Sequence, residues 1–147
     1  MAASITFYNS FKEYVADGTF DLNTDTFKVI LVSSSYTFSA AHTVLADITN
    51  ELSTANGYTN GGATLGSVTF SQTSGTATFD AADTTWTASG GSIVARRAVI
   101  HKSGTANSRA NPLVASVLLD TTPADVTTTT GNTLTLQWNA SGIFTLA

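Results

Sequence analysis

Cysteine is absent from this 147-residue chain, which rules out disulfides, thiolate metal sites and cysteine nucleophiles and leaves the redox compartment open. Charge is scarce as well. Charged residues make up 11% of the chain, where an ordinary domain carries ~25%. The six basic residues are scattered apart from Arg96-Arg97, and the net charge is −4. Nucleic-acid binding by phosphate neutralisation needs a clustered basic face, so nucleic acid is not expected as a partner. Long apolar runs are missing too: nothing approaches the ~20 residues of a spanning helix. The opening Met1-Ala2-Ala3-Ser4-Ile5 has neither the basic nor the apolar segment of a secretory signal. The expectation is a soluble protein with no membrane partner, which stays in the cell that makes it unless it leaves as part of a larger particle. The sequon Asn139-Ala140-Ser141 then carries no meaning.

With so little charge, serine, threonine, asparagine and glycine must supply the wet surface. Threonine suits a pleated sheet, and the others compete with the helical backbone through local hydrogen bonds, so strands and turns are favoured over helices. The length fits one domain, residues 1–147, large enough for a real core. The segment 27–32 reads as a central strand, and because 29–32 is apolar on both sides of the pleat it should be covered on both faces. Residues 6–17 place Phe7, Phe11, Tyr14 and Val15 on one helical face, with Gly18 positioned to end the helix. Such a helix is either a cap on an open end of the sheet or an arm that docks on a neighbouring subunit.

Residues 37–64 read as a long polar segment, with Thr43 as N-cap of a short turn over 44–48 and a glycine-bearing turn at 57–62. Beyond Leu65 the pattern is that of strands. Val68 and Phe70, then Ala77 and Phe79, alternate about a Ser74-Gly75 turn; Trp86 sits in a short strand, 92–102 forms one long strand, and 103–111 is a loop. Residues 113–119 are apolar on both faces, 121–132 form an exposed threonine-rich connection, and two short strands close the chain. About eight strands with turns every 8–12 residues predict a mainly β protein, an antiparallel β-sandwich or jelly-roll-like barrel with one N-terminal helix.

Signals for chemistry are weak. Asp21-Leu22-Asn23-Thr24-Asp25 begins like a calcium loop, but Thr26 and Val32 stand where that loop needs glycine and glutamate, so a polar turn is expected. Asp80 and Asp83 read as turn and cap residues, and His42 and His101 as surface or partly buried histidines outside any ligand spacing. No nucleophile elbow or phosphate-cradling glycine loop is present. No metal, cofactor or enzymatic activity is therefore expected. Consecutive strand residues point to opposite faces, so one of Arg96 and Arg97 should turn inward or into an interface, paired with Asp80, Asp83 or Asp120 if the contact is internal. Trp86 and Trp138 are core residues or a sugar-stacking platform, and Tyr58 would share in such a platform if exposed.

Taken together, Phe7-Tyr8-Asn9-Ser10-Phe11-Lys12, Gly18-x-Phe20-Asp21-Leu22-x-Thr24-Asp25-Thr26-Phe27-Lys28-Val29-x-Leu31-Val32, Gly57-Tyr58-Thr59-x-Gly61-Gly62, Phe79-Asp80-Ala81-Ala82-Asp83-x-x-Trp86, Ala95-Arg96-Arg97-Ala98-Val99-Ile100 and Trp138-Asn139-x-x-Gly142-Ile143-Phe144-x-Leu146 resemble a family of small virion structural proteins of tailed bacteriophages. The resemblance is strongest to capsid decoration, or cement, proteins and spans nearly the whole chain. It implies a non-catalytic part on the capsid surface of a virion, made in the host bacterial cytoplasm. The implied partners are the major capsid protein and further copies of the chain in a dimer or trimer. A tail-associated adhesin or carbohydrate-binding module is the alternative.

Overall fold

The computed structural model describes residues 4–147. In chain order it contains β1 (Ser4–Phe7), α1 (Asn9–Ala16), β2 (Phe27–Val32), a single 3₁₀ turn (Leu45–Asp47), β3 (Ala63–Thr64), β4 (Thr69–Thr73), β5 (Thr76–Asp80) and β6 (Thr84–Thr87). There follow β7 (Ile93–Ala95), β8 (Arg97–Lys102), β9 (Thr105–Ala106), β10 (Arg109–Ala110), β11 (Leu113–Leu118), β12 (Val126–Thr128), β13 (Thr133–Leu136) and β14 (Phe144–Leu146). The protein is mainly β and sandwich-like, as its threonine-rich, charge-poor composition predicts, although its strands are shorter and more numerous than the eight expected.

One layer is a five-stranded antiparallel sheet in the order β1-β11-β8-β2-β3. The facing layer is assembled from β14-β5-β4, β13-β6 and β12-β7. Between them lies the larger core: Phe27, Val29 and Leu31 from β2 meet Phe79, Trp86, Ile93, Leu136 and Phe144. The alternate residues of β2, Ile30 and Val32, point the other way and join Tyr8, Tyr36, Val99 and Leu113 in a second cluster. Phe38, Leu45 and Ile48 pack onto that cluster from the connection after β2. The segment that reads as a polar loop thus acts as a third layer, which is why β2 can be apolar on both faces.

Several local expectations are corrected. The helix begins at Asn9 rather than Thr6, because Ser4–Phe7 pairs with β11 as an edge strand and Phe7 lies opposite Ala115. Ladder bonds to a ready-made neighbour outweigh the helical spacing of one aromatic. Gly18 does follow the helix, with φ +78, a conformation that only glycine adopts without strain. The 3₁₀ turn is capped not by the Thr43 side chain but by Asp47, whose Oδ2 accepts from the Thr43 and Val44 amides at 2.8 and 3.2 Å.

The long strand expected over 92–102 is two strands in different layers: β7 pairs with β12, and β8 lies between β2 and β11. The chain bends at Arg96, whose amide donates to the Val32 carbonyl (2.9 Å) while its carbonyl accepts from Leu119 (3.1 Å). The expected loop at 103–111 contains the small hairpin β9-β10, turned by Asn107 and Ser108 at φ 48 and 63. The connection 121–132 is mostly exposed but contributes β12, with Thr128 buried.

Candidate functional site

Three concentrations of chemistry stand out, each built from side chains that the core positions. The first lies where α1 closes one end of the sandwich. Phe11 and Tyr14 are buried, Phe11 stacks on Phe7 at 5.2 Å, and both meet Phe144 edge-on at 5.3 Å. Arg109, carried over by the β9-β10 hairpin, lies 4.1 Å from the centre of the Tyr14 ring. Its guanidinium donates to Asp17 (3.0 Å) and to the Thr19 hydroxyl (2.9 Å). The Asp17 carboxyl is held below its usual range, chiefly by the Thr19 hydroxyl, with Arg109 adding to the effect. Beside it Lys102 pairs with Asp25 at 2.6 Å and donates to the Thr19 carbonyl at 3.0 Å. This is a lock between hairpin and helix, and nothing in the spacing of residues 14, 17 and 109 announces it.

The second lies under the third layer. The Tyr8 and Tyr36 hydroxyls are 3.1 Å apart, and Tyr36 also meets His42 Nδ1 at 3.0 Å. Burial raises the pKa of both tyrosines, Tyr8 the more strongly. Arg97 sits over the Phe38 ring at 5.0 Å and reaches the Ser116 hydroxyl at 3.4 Å. The third lies along the backbone edge of β2, next to where β3 pairs with it. There the Tyr58 hydroxyl donates to Glu51 Oε1 at 2.7 Å and accepts from the Leu31 amide at 3.1 Å. Burial raises its pKa, and the Gly61 amide donates to the same carboxylate.

The residues singled out from the sequence do not converge on one site. Phe7, Phe11 and Tyr14 serve the chain's own aromatic cluster. Trp86 and Tyr58 are buried, 6% and 2% exposed, with rings 6.4 Å apart, so neither offers an exposed platform. Arg96 pairs with Asp125 at 2.7 Å rather than with Asp80, Asp83 or Asp120, because the bend at residue 96 turns it toward the 121–132 connection. Arg97 finds an aromatic ring and a hydroxyl in place of the expected carboxylate. His101 is also a correction: it is 2% exposed, with Nδ1 donating to the Lys102 carbonyl at 2.8 Å and Nε2 buried without a partner.

The acidic positions act as turn and cap residues. Asp21 Oδ1 accepts from the Asn23 and Thr24 amides, Asp25 Oδ2 from the Asp21 amide, Asp80 Oδ1 from Ala81 and Asp83 Oδ1 from Trp138. Among the described residues no three His, Asp or Glu side chains group as a metal site. The surface depressions are shallow, about 290 Å³ beside Asn56 and Val94, 360 Å³ beside Trp138 and 420 Å³ beside Phe70.

Comparison with known protein families, with curated proteins and with solved structures finds no match to this chain.

Proposed function

We propose that the protein is a non-enzymatic structural component of a tailed-phage virion, a decoration protein that binds the outer capsid shell and braces the junctions between its subunits. The observation that carries this reading is the cover on both faces of the central sheet. Phe79 and its neighbours close one side and the 33–50 connection closes the other, so the domain is a stiff block whose polar networks hold its own layers together. The sequence resemblance to virion structural proteins supports the same conclusion. A part used in many copies needs stiffness and only modest affinity per copy, because simultaneous attachment multiplies weak contacts. The capsid-facing element is the long 37–64 segment or the region around α1.

The test is to mix purified protein with shells that lack it. Saturable binding at a fixed ratio to capsid protein, with a rise in the shell's disruption temperature, is the expected result; absence of binding at micromolar protein refutes the reading. A glycan-holding module is the second reading, favoured only by Trp138, half-buried in a depression with Gln137 and Asn139. Its test is glycan binding by the isolated domain, lost in Trp138→Ala.

A further inference from the structure

Strand β4 forms one edge of the sheet β14-β5-β4, and its outer side has no backbone partner among the described residues. Natural edge strands are guarded by lysine, proline, bulges or covering segments. This one has none of them: the chain contains no charged residue between Glu51 and Asp80 and no proline until Pro112, and β4 pairs with β5 without a register shift over Thr69–Thr73. Thr69, Ser71, Gln72 and Thr73 are exposed. Which backbone groups are free follows from the turn. Ser74 and Gly75 adopt φ 51 and 86, closing a two-residue hairpin whose flanking pair, Thr73 and Thr76, exchanges both hydrogen bonds. Alternation along the strand then commits Thr69 and Ser71 to β5 and turns the N–H and C=O of Phe70 and Gln72 outward.

We infer that this edge pairs with the same edge of a second copy, antiparallel about a two-fold axis through Ser71. Charge argues for self-pairing. The chain carries a net −4, so copies repel over most of their surface, whereas Thr69–Thr73 carries no charge of its own to set against its image. The geometry is self-complementary, as a two-fold contact requires. Phe70 exchanges both backbone bonds with Gln72 of the second copy, and Gln72 does the same with Phe70 of that copy. Phe70 and Gln72 share one face of the strand, so the incoming Gln72 lies beside the half-buried Phe70 ring and the mixed depression that Phe20, Asp21, Leu22 and Asn23 line next to it, where its amide meets polar as well as apolar groups. Ser71 meets its own copy directly, at the ~4.5 Å Cα separation of a non-hydrogen-bonded pair. The contact is between copies and does not depend on shell binding, so either can fail without the other.

The cysteine-free sequence makes the test clean. Single variants Thr69→Cys, Ser71→Cys and Thr73→Cys are oxidised mildly in the purified protein, and disulfide dimer is followed on non-reducing gels. Ser71 lies within disulfide reach of its copy, whereas Thr69 and Thr73 are each roughly 13 Å from their own copies along the strand. The expected result is dimer formation at least tenfold faster at Ser71 than at the other two positions. In the Ser71→Cys background, Gln72→Pro removes an outward N–H but no bond to β5, and should abolish the preference. Sedimentation equilibrium gives an independent reading: Ser71→Lys should weaken the concentration-dependent dimer at least tenfold while leaving the unfolding midpoint of the monomer unchanged. Equal rates at the three positions, a fastest rate elsewhere than Ser71, or a native chain that stays monomeric at millimolar concentration overturns the inference.

Discussion

Phe79→Ala tests whether the two layers of the sandwich are held by one aromatic contact system. Phe79 is fully buried on β5. Its ring stacks on Phe144 of β14 at 4.9 Å and meets Phe27 of β2 edge-on at 5.2 Å. The first contact joins neighbours within a layer, and the second joins the layers. Truncating a buried phenylalanine costs about 3–5 kcal/mol, transfer and cavity terms together, of which the aromatic pairs supply roughly 0.5–1.5 kcal/mol each. In a domain of this size each kcal/mol lowers the melting temperature by about 2–4 °C, so a fall of roughly 6–20 °C is expected. Urea titration followed by tryptophan fluorescence measures the free energy, since Trp86 is buried in the same core. The half-buried Phe7, on the rim of that cluster, is the comparison, and Phe7→Ala should cost at least about 1 kcal/mol less. A Phe79→Ala loss below about 1.5 kcal/mol, or one no larger than that of Phe7→Ala, refutes the argument that this ring couples the layers.

His101 predicts an acid-sensitive step in stability. Burial lowers its pKa below the ordinary 6.5, against the hydrogen bond to the Lys102 carbonyl; nearby Lys28 lowers it further and Glu51 raises it. A folded-state pKa below the unfolded value means that the stabilisation is complete above pH 6.5 and declines as the pH falls toward the lowered value, by at most about 1.4 kcal/mol per pH unit. His101→Gln should flatten the stability curve between pH 6.5 and 5, and parallel curves for the two proteins refute the assignment. At Arg96 the side chain matters less than the backbone. Its ion pair with Asp125 leaves the partners 27% and 35% exposed, so Arg96→Ala and Asp125→Ala should each cost less than about 1 kcal/mol. Arg96→Pro, which deletes the amide bonded to Val32, should cost about 2 kcal/mol or more; chemical denaturation of the three variants checks the order.

The parts of the fold legible from sequence are those where one local force acts alone. The two-sided apolar run of β2 can only be a buried strand, and Ser74-Gly75 between two alternating segments can only be a hairpin. The Asp21–Asp25 turn follows from side chains that bond the next amides along the chain. Elsewhere a distant partner decides. Ile93 to Lys102 looks continuous because no glycine, proline or other turn former interrupts it, and the change of layer depends on Val32 and Leu119, which are far away in sequence. The third layer escapes notice because Tyr36, Phe38, Leu45 and Ile48 follow no period. Arg109 meets Asp17 and Tyr14 only after a hairpin turned by Asn107 and Ser108, without a glycine to mark it, has carried it there. At the candidate surfaces, aromatic residue type is visible in the sequence, whereas burial depends on neighbours that a single sequence does not pair.

The bend at Arg96 has a mechanical consequence. Because β7 and β8 are one uninterrupted piece of chain lying in two layers, a tug on either layer passes to the other through covalent bonds as well as through interlocked side chains. The layers cannot be peeled apart from that side without first stripping the ladder between β8 and its neighbours. Tension applied there should rip the molecule in one abrupt event, not by gradual slippage.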